Sequence, residues 1–118
     1  MLAENNNRVR AISAKLSPFE LDSIEVYIKG VVDNFCKRFP KEKFSVRIFF
    51  GGDNKDWNGT PLQKIYDYYI SIGLSYKKAF NKSAIDVGRL LKKLLIEDEQ
   101  LYLYIKGYTN EYILIGYK

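Results

Sequence analysis

The stretch Ser83-Ala84-Ile85-Asp86-Val87-Gly88-Arg89-Leu90-Leu91-Lys92-Lys93-Leu94-Leu95-Ile96 is compatible with few folds. At about 100° per residue, Ala84, Val87, Leu91, Leu94 and Leu95 share one helical face, with Gly88 beside them. Ser83 followed three residues later by Asp86 is a capping-box pattern and predicts that the helix starts there. Lys82, Arg89 and Lys93 cluster on the opposite side with Asp86 among them, and Lys92 lies toward an edge. Such a helix must bury one side and leave a basic back in solvent. Two alternating segments follow, Leu101 to Lys106 and Tyr112 to Tyr117, and they predict a β-hairpin. Leu101, Leu103 and Ile105 point one way, while Tyr102, Tyr104 and Lys106 point the other. The turn Gly107-Tyr108-Thr109-Asn110 contains the Gly and Asn that suit positive φ angles.

Upstream, Ser17-Pro18-Phe19-Glu20 combines an N-cap, a proline at the first helical position and an acid at the third. The helix it opens carries Leu21, Ile24, Ile28, Val31, Phe35 and Phe39 at three- and four-residue steps, and Pro40 ends it. Gly30 within it costs roughly 1 kcal/mol of helix propensity relative to alanine, which predicts a close contact at that point. Phe44, Val46, Ile48 and Phe50 alternate and predict a strand over 44–50. Thr60-Pro61-Leu62-Gln63 repeats the opening device, with Leu62, Ile65, Tyr66, Tyr69 and Ile70 as the stripe and Gly73 as the stop. Leu74 to Asn81 reads as a connector with room for a single helical turn. Before Ser17, Val9, Ile12 and Leu16 recur at helical spacing among Arg8, Arg10 and Lys15. That pattern fits a short docked helix or a basic arm reaching a nucleic-acid backbone.

With 118 residues, 47% of them hydrophobic, the chain suits one globular domain spanning 1–118. Residues 1–59 supply the long helix and the extra strand, and 60–118 the helical core and hairpin. No apolar run is long enough for a transmembrane helix, the first residues lack the layout of a secretory signal, and no membrane partner is expected. The single Cys36 cannot form an internal disulfide, which fits a reducing cytoplasm. Richness in Lys, Asn, Ile and Tyr is what AT-rich coding produces, as in a low-GC bacterium or its mobile elements.

Net charge is +5, and its location matters more than its size. Residues 74–96 hold Lys77, Lys78, Lys82, Arg89, Lys92 and Lys93 against Asp86 alone, a net of +5 in one window. Glu97, Asp98 and Glu99 close it. A localised basic patch is the electrostatic footprint of a polyanion partner.

The loop Gly51-Gly52-Asp53-Asn54-Lys55-Asp56-Trp57-Asn58-Gly59 offers two chemical readings, and both fail. Asp53, Asp56 and Asn58 miss the alternate-position ligand spacing of an EF-hand, because Lys55 stands where a ligand is needed. Gly51-Gly52 is not followed by the Gly-Lys-Ser/Thr of a phosphate loop. A structural turn with Trp57 packed beneath it is the expectation. The chain has no histidine, and one cysteine excludes the thiolate zinc sites. Cys36 sits in an apolar helical pattern without an activating base. No catalytic residue, metal or cofactor is therefore expected, and the chain reads as a non-enzyme.

The expected order is helix, strand, helix, short turn or helix, helix, strand, strand, an α+β chain. Residues 61–117 resemble winged helix-turn-helix DNA-binding domains. They are similar to the winged modules of phage and plasmid primase-helicases and related replication proteins. The likeness rests on Leu62-Gln63-Lys64-Ile65-Tyr66-Asp67-Tyr68-Tyr69, Val87-Gly88-Arg89-Leu90-Leu91-Lys92-Lys93-Leu94 and the closing hairpin. The resemblance implies a DNA-binding protein of replication or regulation, with helix 83–96 reading DNA and the hairpin as wing. Arg89 is the candidate for a base edge, because its planar fork matches guanine. Lys77, Lys78, Lys82, Lys92, Lys93, Lys106 and Lys118 are the candidates for phosphates, with Ser83 and Tyr108 completing the interface. Tyr76, Tyr102, Tyr104 or Tyr108, if exposed, would stack the bases of a single strand. The alternative is a protein-interaction module, such as a phage-encoded inhibitor or replication-complex adaptor, using the tyrosine-rich hairpin.

Overall fold

The computed structural model describes Leu2, residues 10–51 and residues 56–117. Arg8, Val9, Gly52, Asp53, Asn54, Lys55 and Lys118, which figure in the sequence reading, lie outside the described residues. The helix that ends before the hairpin begins earlier than Ser83. Ser75 caps it, its hydroxyl accepting from the Lys78 amide at 3.4 Å, and α4 spans Tyr76–Glu97. Ala79, Ser83, Asp86, Val87, Leu90, Leu91 and Leu95 form its buried face. Ser83 is thus mid-helix, and its hydroxyl donates to the Ala79 carbonyl at 2.7 Å, the bond that lets a serine be buried there. The connector reading of 74–81 fails because Ala79 continues the buried stripe one turn back. Small residues give a weak apolar signal unless their neighbours are known.

Helix α1, Pro18–Arg38, forms as its opening device dictates. The Glu20 amide donates to Ser17 Oγ and the Ser17 amide to Glu20 Oε1, each at 3.1 Å. Ile24, Ile28 and Val32 are buried, with Leu21, Val31 and Phe35 packed beside them. The close contact expected at Gly30 is not there: the residue is exposed, and a Cβ would meet nothing within 4 Å. Gly30→Ala is therefore expected to stabilise the fold by about 1 kcal/mol through helix propensity and a stiffer unfolded chain. Urea unfolding of the two proteins checks this, with a higher midpoint and unchanged slope as the result.

Helix α3, Gln63–Ser71, starts two residues after its expected proline position. Thr60 does not cap it; the Thr60 hydroxyl donates to the Trp57 carbonyl at 2.8 Å. The first turn is closed by i to i−3 bonds, from the amides of Gln63, Lys64 and Ile65 to Thr60, Pro61 and Leu62. Leu62, Ile65 and Tyr69 are buried as the stripe predicts, and Gly73 takes a φ of 97° just past the end.

The predicted strand over 44–50 is a short helix, α2, Val46–Phe50. Ser45 Oγ accepts from the Ile48 amide at 3.2 Å and caps it. Only Phe44 behaves as a strand residue, exchanging backbone hydrogen bonds of 2.9 Å with Tyr112 in both directions. Coiling brings Phe49 over Phe44, ring centroids 5.4 Å apart, which an extended chain would have placed on opposite faces. Packing of these rings overrides the β-propensity of the segment.

Strands β1, Gln100–Ile105, and β2, Glu111–Tyr117, pair antiparallel with a bulge between Leu101 and Tyr102. The expected hairpin is present. Neither Gly107 nor Asn110 has a positive φ, so the turn does not use the conformation their identities suggested. Its aromatic face is the inner one: Tyr102 and Tyr112 are buried, and Tyr104 packs on the core. A phenol can be buried there because the Tyr102 hydroxyl donates to Asp98 Oδ2 at 2.6 Å. Asp98 also pairs with Lys29 at 3.0 Å, tying the hairpin to α1. Burial alone would raise the Asp98 carboxyl, but bonds from Tyr102, Gln100 and Lys29 outweigh it and hold the pKa below the ordinary value.

The fold is mixed α and β. Helix α4 touches α1, α2, α3 and β1, so the molecule is assembled around it. One hydrophobic cluster takes Ile24, Ile28 and Phe44 from the first half and Leu91, Leu95 and Tyr102 from the second. Residues 10–16 are irregular, not the docked helix that the spacing allowed. Among the described residues, no helix is long and apolar enough to cross a membrane.

Candidate functional site

Asp86, read from the sequence as part of the basic outer face, is 1% exposed. Its carboxylate accepts from the Ser13 amide at 3.0 Å, the Ala14 amide at 3.1 Å and the Tyr69 hydroxyl at 2.5 Å. Burial, then the bond to Asp86, pushes the Tyr69 phenol well above its ordinary value. One turn on, Arg89 Nη1 donates to the Ala11 carbonyl at 3.1 Å. The N-terminal segment is thereby clasped along α4. This contact brings Arg10, exposed, to the rim of a cleft that α4 also lines.

The cleft, about 900 Å³, lies between α4, α2 and the tip of the hairpin. Arg10, Arg47, Arg89, Lys92 and Lys106 line it, and no carboxylate among the described residues does. From α4 it is lined by the small or short Asn81, Ala84 and Gly88 as well as by Phe80, Ile85, Arg89 and Lys92. Lys92 lies over the Tyr104 ring, its Nζ 5.0 Å from the centroid. Tyr108, fully exposed, stands at the hairpin end. A second depression of about 560 Å³ adjoins the first, sharing Trp57, Phe80 and Asn81 with it. Tyr66, Tyr76, Lys77 and Asp56 line its far side. Along α4, Lys77 and Asn81 of the depression and Asn81, Ile85, Gly88 and Lys92 of the cleft follow helical spacing.

The candidates named from sequence divide into three groups. Arg89, Lys92, Lys106 and Tyr108 line the cleft, and Lys77 the depression beside it. Lys78 and Lys82 are exposed on the early turns of α4, outside it. Ser83 is fully buried and offers nothing to a partner, and Lys93 faces elsewhere. Lys93 forms an ion pair with Glu25 of α1 and a second, at 3.6 Å, with Glu97. The pairing with Glu25 raises its pKa. Arg47 was missed, and Arg10 was named only outside the helix and hairpin. Arg10 had been assigned to a possible basic arm, and Arg47 was hidden by the strand reading of its segment. The signal that could have exposed Arg47 was Ser45 as an N-cap.

Of the stacking candidates, Tyr76 and Tyr108 are exposed, Tyr104 is half-buried and Tyr102 is buried. Trp57 is buried as expected, donating from Nε1 to the Phe50 carbonyl at 3.1 Å. The Asp56 carboxylate accepts from the Asn58 amide at 3.1 Å. Burial pushes the Cys36 thiol up to about 11, against nucleophilic use. Among the described residues, no group of three or more side chains is placed to hold a metal ion. The chain matches no family model, no curated protein and no solved structure.

Proposed function

We propose that the protein is a small, non-enzymatic DNA-binding protein, of replication or regulatory role, from a bacterial mobile element or phage. The observation that carries this reading is the convergence of five cationic side chains on one cleft without a described carboxylate. They come from the N-terminal segment, α2, α4 and the hairpin, so the fold gathers what the sequence scatters. Phosphates are the natural counter-charge for such a surface. The winged-helix plan belongs to this proposal: α3, a short turn around Gly73 and α4 follow one another, and the hairpin comes directly after α4. Lys78 and Lys82 extend the positive surface toward the start of α4.

An electrophoretic shift series at increasing salt tests the reading. With three to four phosphates neutralised, log K should fall against log salt with a slope near −3. Absence of any shift at low salt overturns it.

The second reading, a protein-interaction module, draws on a different surface. The outer face of the hairpin is aliphatic, with Leu101, Leu103, Ile105 and Ile113 half-buried and Ile115 exposed. The tyrosine-rich face first assigned to this role packs inward instead. Retention of one host protein, with no DNA shift, favours this reading.

A further inference from the structure

We propose that the groove takes a single DNA strand, not a duplex, with bases stacked on Tyr108 at one end and Tyr76 at the other. The proposal rests on the reading of the cleft as a DNA site and specifies which form of DNA enters. Three observations carry it.

The first is shape. A helix that reads a duplex must protrude into a major groove about 12 Å wide. At Gly88 and Lys92, both half-buried, the groove-facing stripe of α4 is instead flanked by α2 with Arg47 and by Lys106 and Tyr108 of the hairpin. Arg89 and Lys92 are half-buried where they line the groove, a placement that suits a strand that enters it better than a wide rigid cylinder.

The second is the arrangement of aromatic rings. Tyr108 is fully exposed and Tyr76 is 78% exposed, although a large aromatic side chain gains by burial. Tyr108 lines the cleft and Tyr76 the depression that adjoins it. Phe80, which lines both, is packed against Trp57 with ring centroids 5.4 Å apart. Base stacking on such side chains is sequence-tolerant and strong, and unpaired bases alone can use it.

The third is the division of charge along the groove. The end near Tyr108 holds the five cations, whereas the end near Tyr76 has Lys77 offset by Asp56. Phosphates are held at the first end, and a base enters the more apolar depression at the second. From Tyr76 to Lys92 the helix runs about 24 Å, which suits a short site of about four nucleotides.

Fluorescence anisotropy with the full chain tests this, using a labelled oligothymidylate of about twelve nucleotides and a duplex of the same length. Affinity for the single strand is expected to exceed that for the duplex by about tenfold or more. Tyr108→Ala and Tyr76→Ala, both at exposed positions, should each weaken strand binding about tenfold. Tyr108→Phe should retain strand binding because the ring remains. Equal or tighter binding of the duplex overturns the single-strand proposal and leaves the DNA-binding reading standing. Strand affinity indifferent to both alanine variants overturns the stacking arrangement. Failure of both oligonucleotides to bind at low salt overturns the proposal and the DNA-binding reading together.

Discussion

Replacing Asp86 with alanine is expected to cost about 3–4 kcal/mol of folding stability, the largest effect of any single change considered. Its carboxylate serves the Ser13 and Ala14 amides and the Tyr69 hydroxyl, and it is almost fully enclosed. Removing it leaves donors in a place where water reaches Ser13 but not Ala14 or Tyr69, which are buried. An unsatisfied buried donor costs about 1–3 kcal/mol, more than the net worth of the bond it lost. Asp86→Asn preserves shape and one acceptor oxygen but turns an amide donor toward another donor, and about 2 kcal/mol is expected to be lost. Thermal unfolding checks both: the alanine variant should melt more than about 10 °C below the parent, with asparagine between. A melting point unchanged in the alanine variant would mean that the N-terminal segment is not held by this side chain.

The second large effect concerns binding. Reversing charge at Arg47 and Lys106 together is expected to weaken DNA affinity by about a hundredfold or more at low salt. Both residues are exposed and lie on opposite walls of the cleft, from α2 and from the end of β1. Because neither is buried, the double variant should fold, and its unfolding midpoint is the control. Lys93→Gln is the counterpart. That lysine is engaged with Glu25 and Glu97, away from the cleft, so DNA affinity should stay unchanged while its own ion pairs are lost. An affinity unaffected by the double reversal would remove the cleft as the interface.

These two predictions involve residues of very different legibility. Arg89, Lys92, Lys106 and Tyr108 were legible because they follow a strong helical period or sit at a recognisable hairpin. Helix α1 was equally plain, since its opening signal lies within four adjacent residues and needs no tertiary partner. Asp86 was misread for a physical reason. A charged residue on a basic helix is exposed by default, and its main partners are backbone amides, which every residue carries and no sequence pattern marks. Arg47 was lost with its segment. Alternating apolar residues over so short a run suit a strand or a capped helical turn, and the stacking of Phe49 on Phe44 decided between them. Gly30 is the converse case: its presence implied a neighbour, and no neighbour is there. The hairpin was found, but which face turned inward depended on Asp98 being available to Tyr102.

The clasp between the N-terminal segment and α4 also bears on the order in which the chain can assemble. Ser13 and Ala14 meet Asp86 across sequence separations of 73 and 72 residues. On a ribosome adding about 5–20 residues per second, the early segment emerges and waits several seconds before its carboxylate partner exists. Helix α1, locally encoded, can form during that interval, whereas the clasp and the Arg10 wall of the cleft cannot. The cleft is therefore completed late in synthesis, after α4 has emerged and docked.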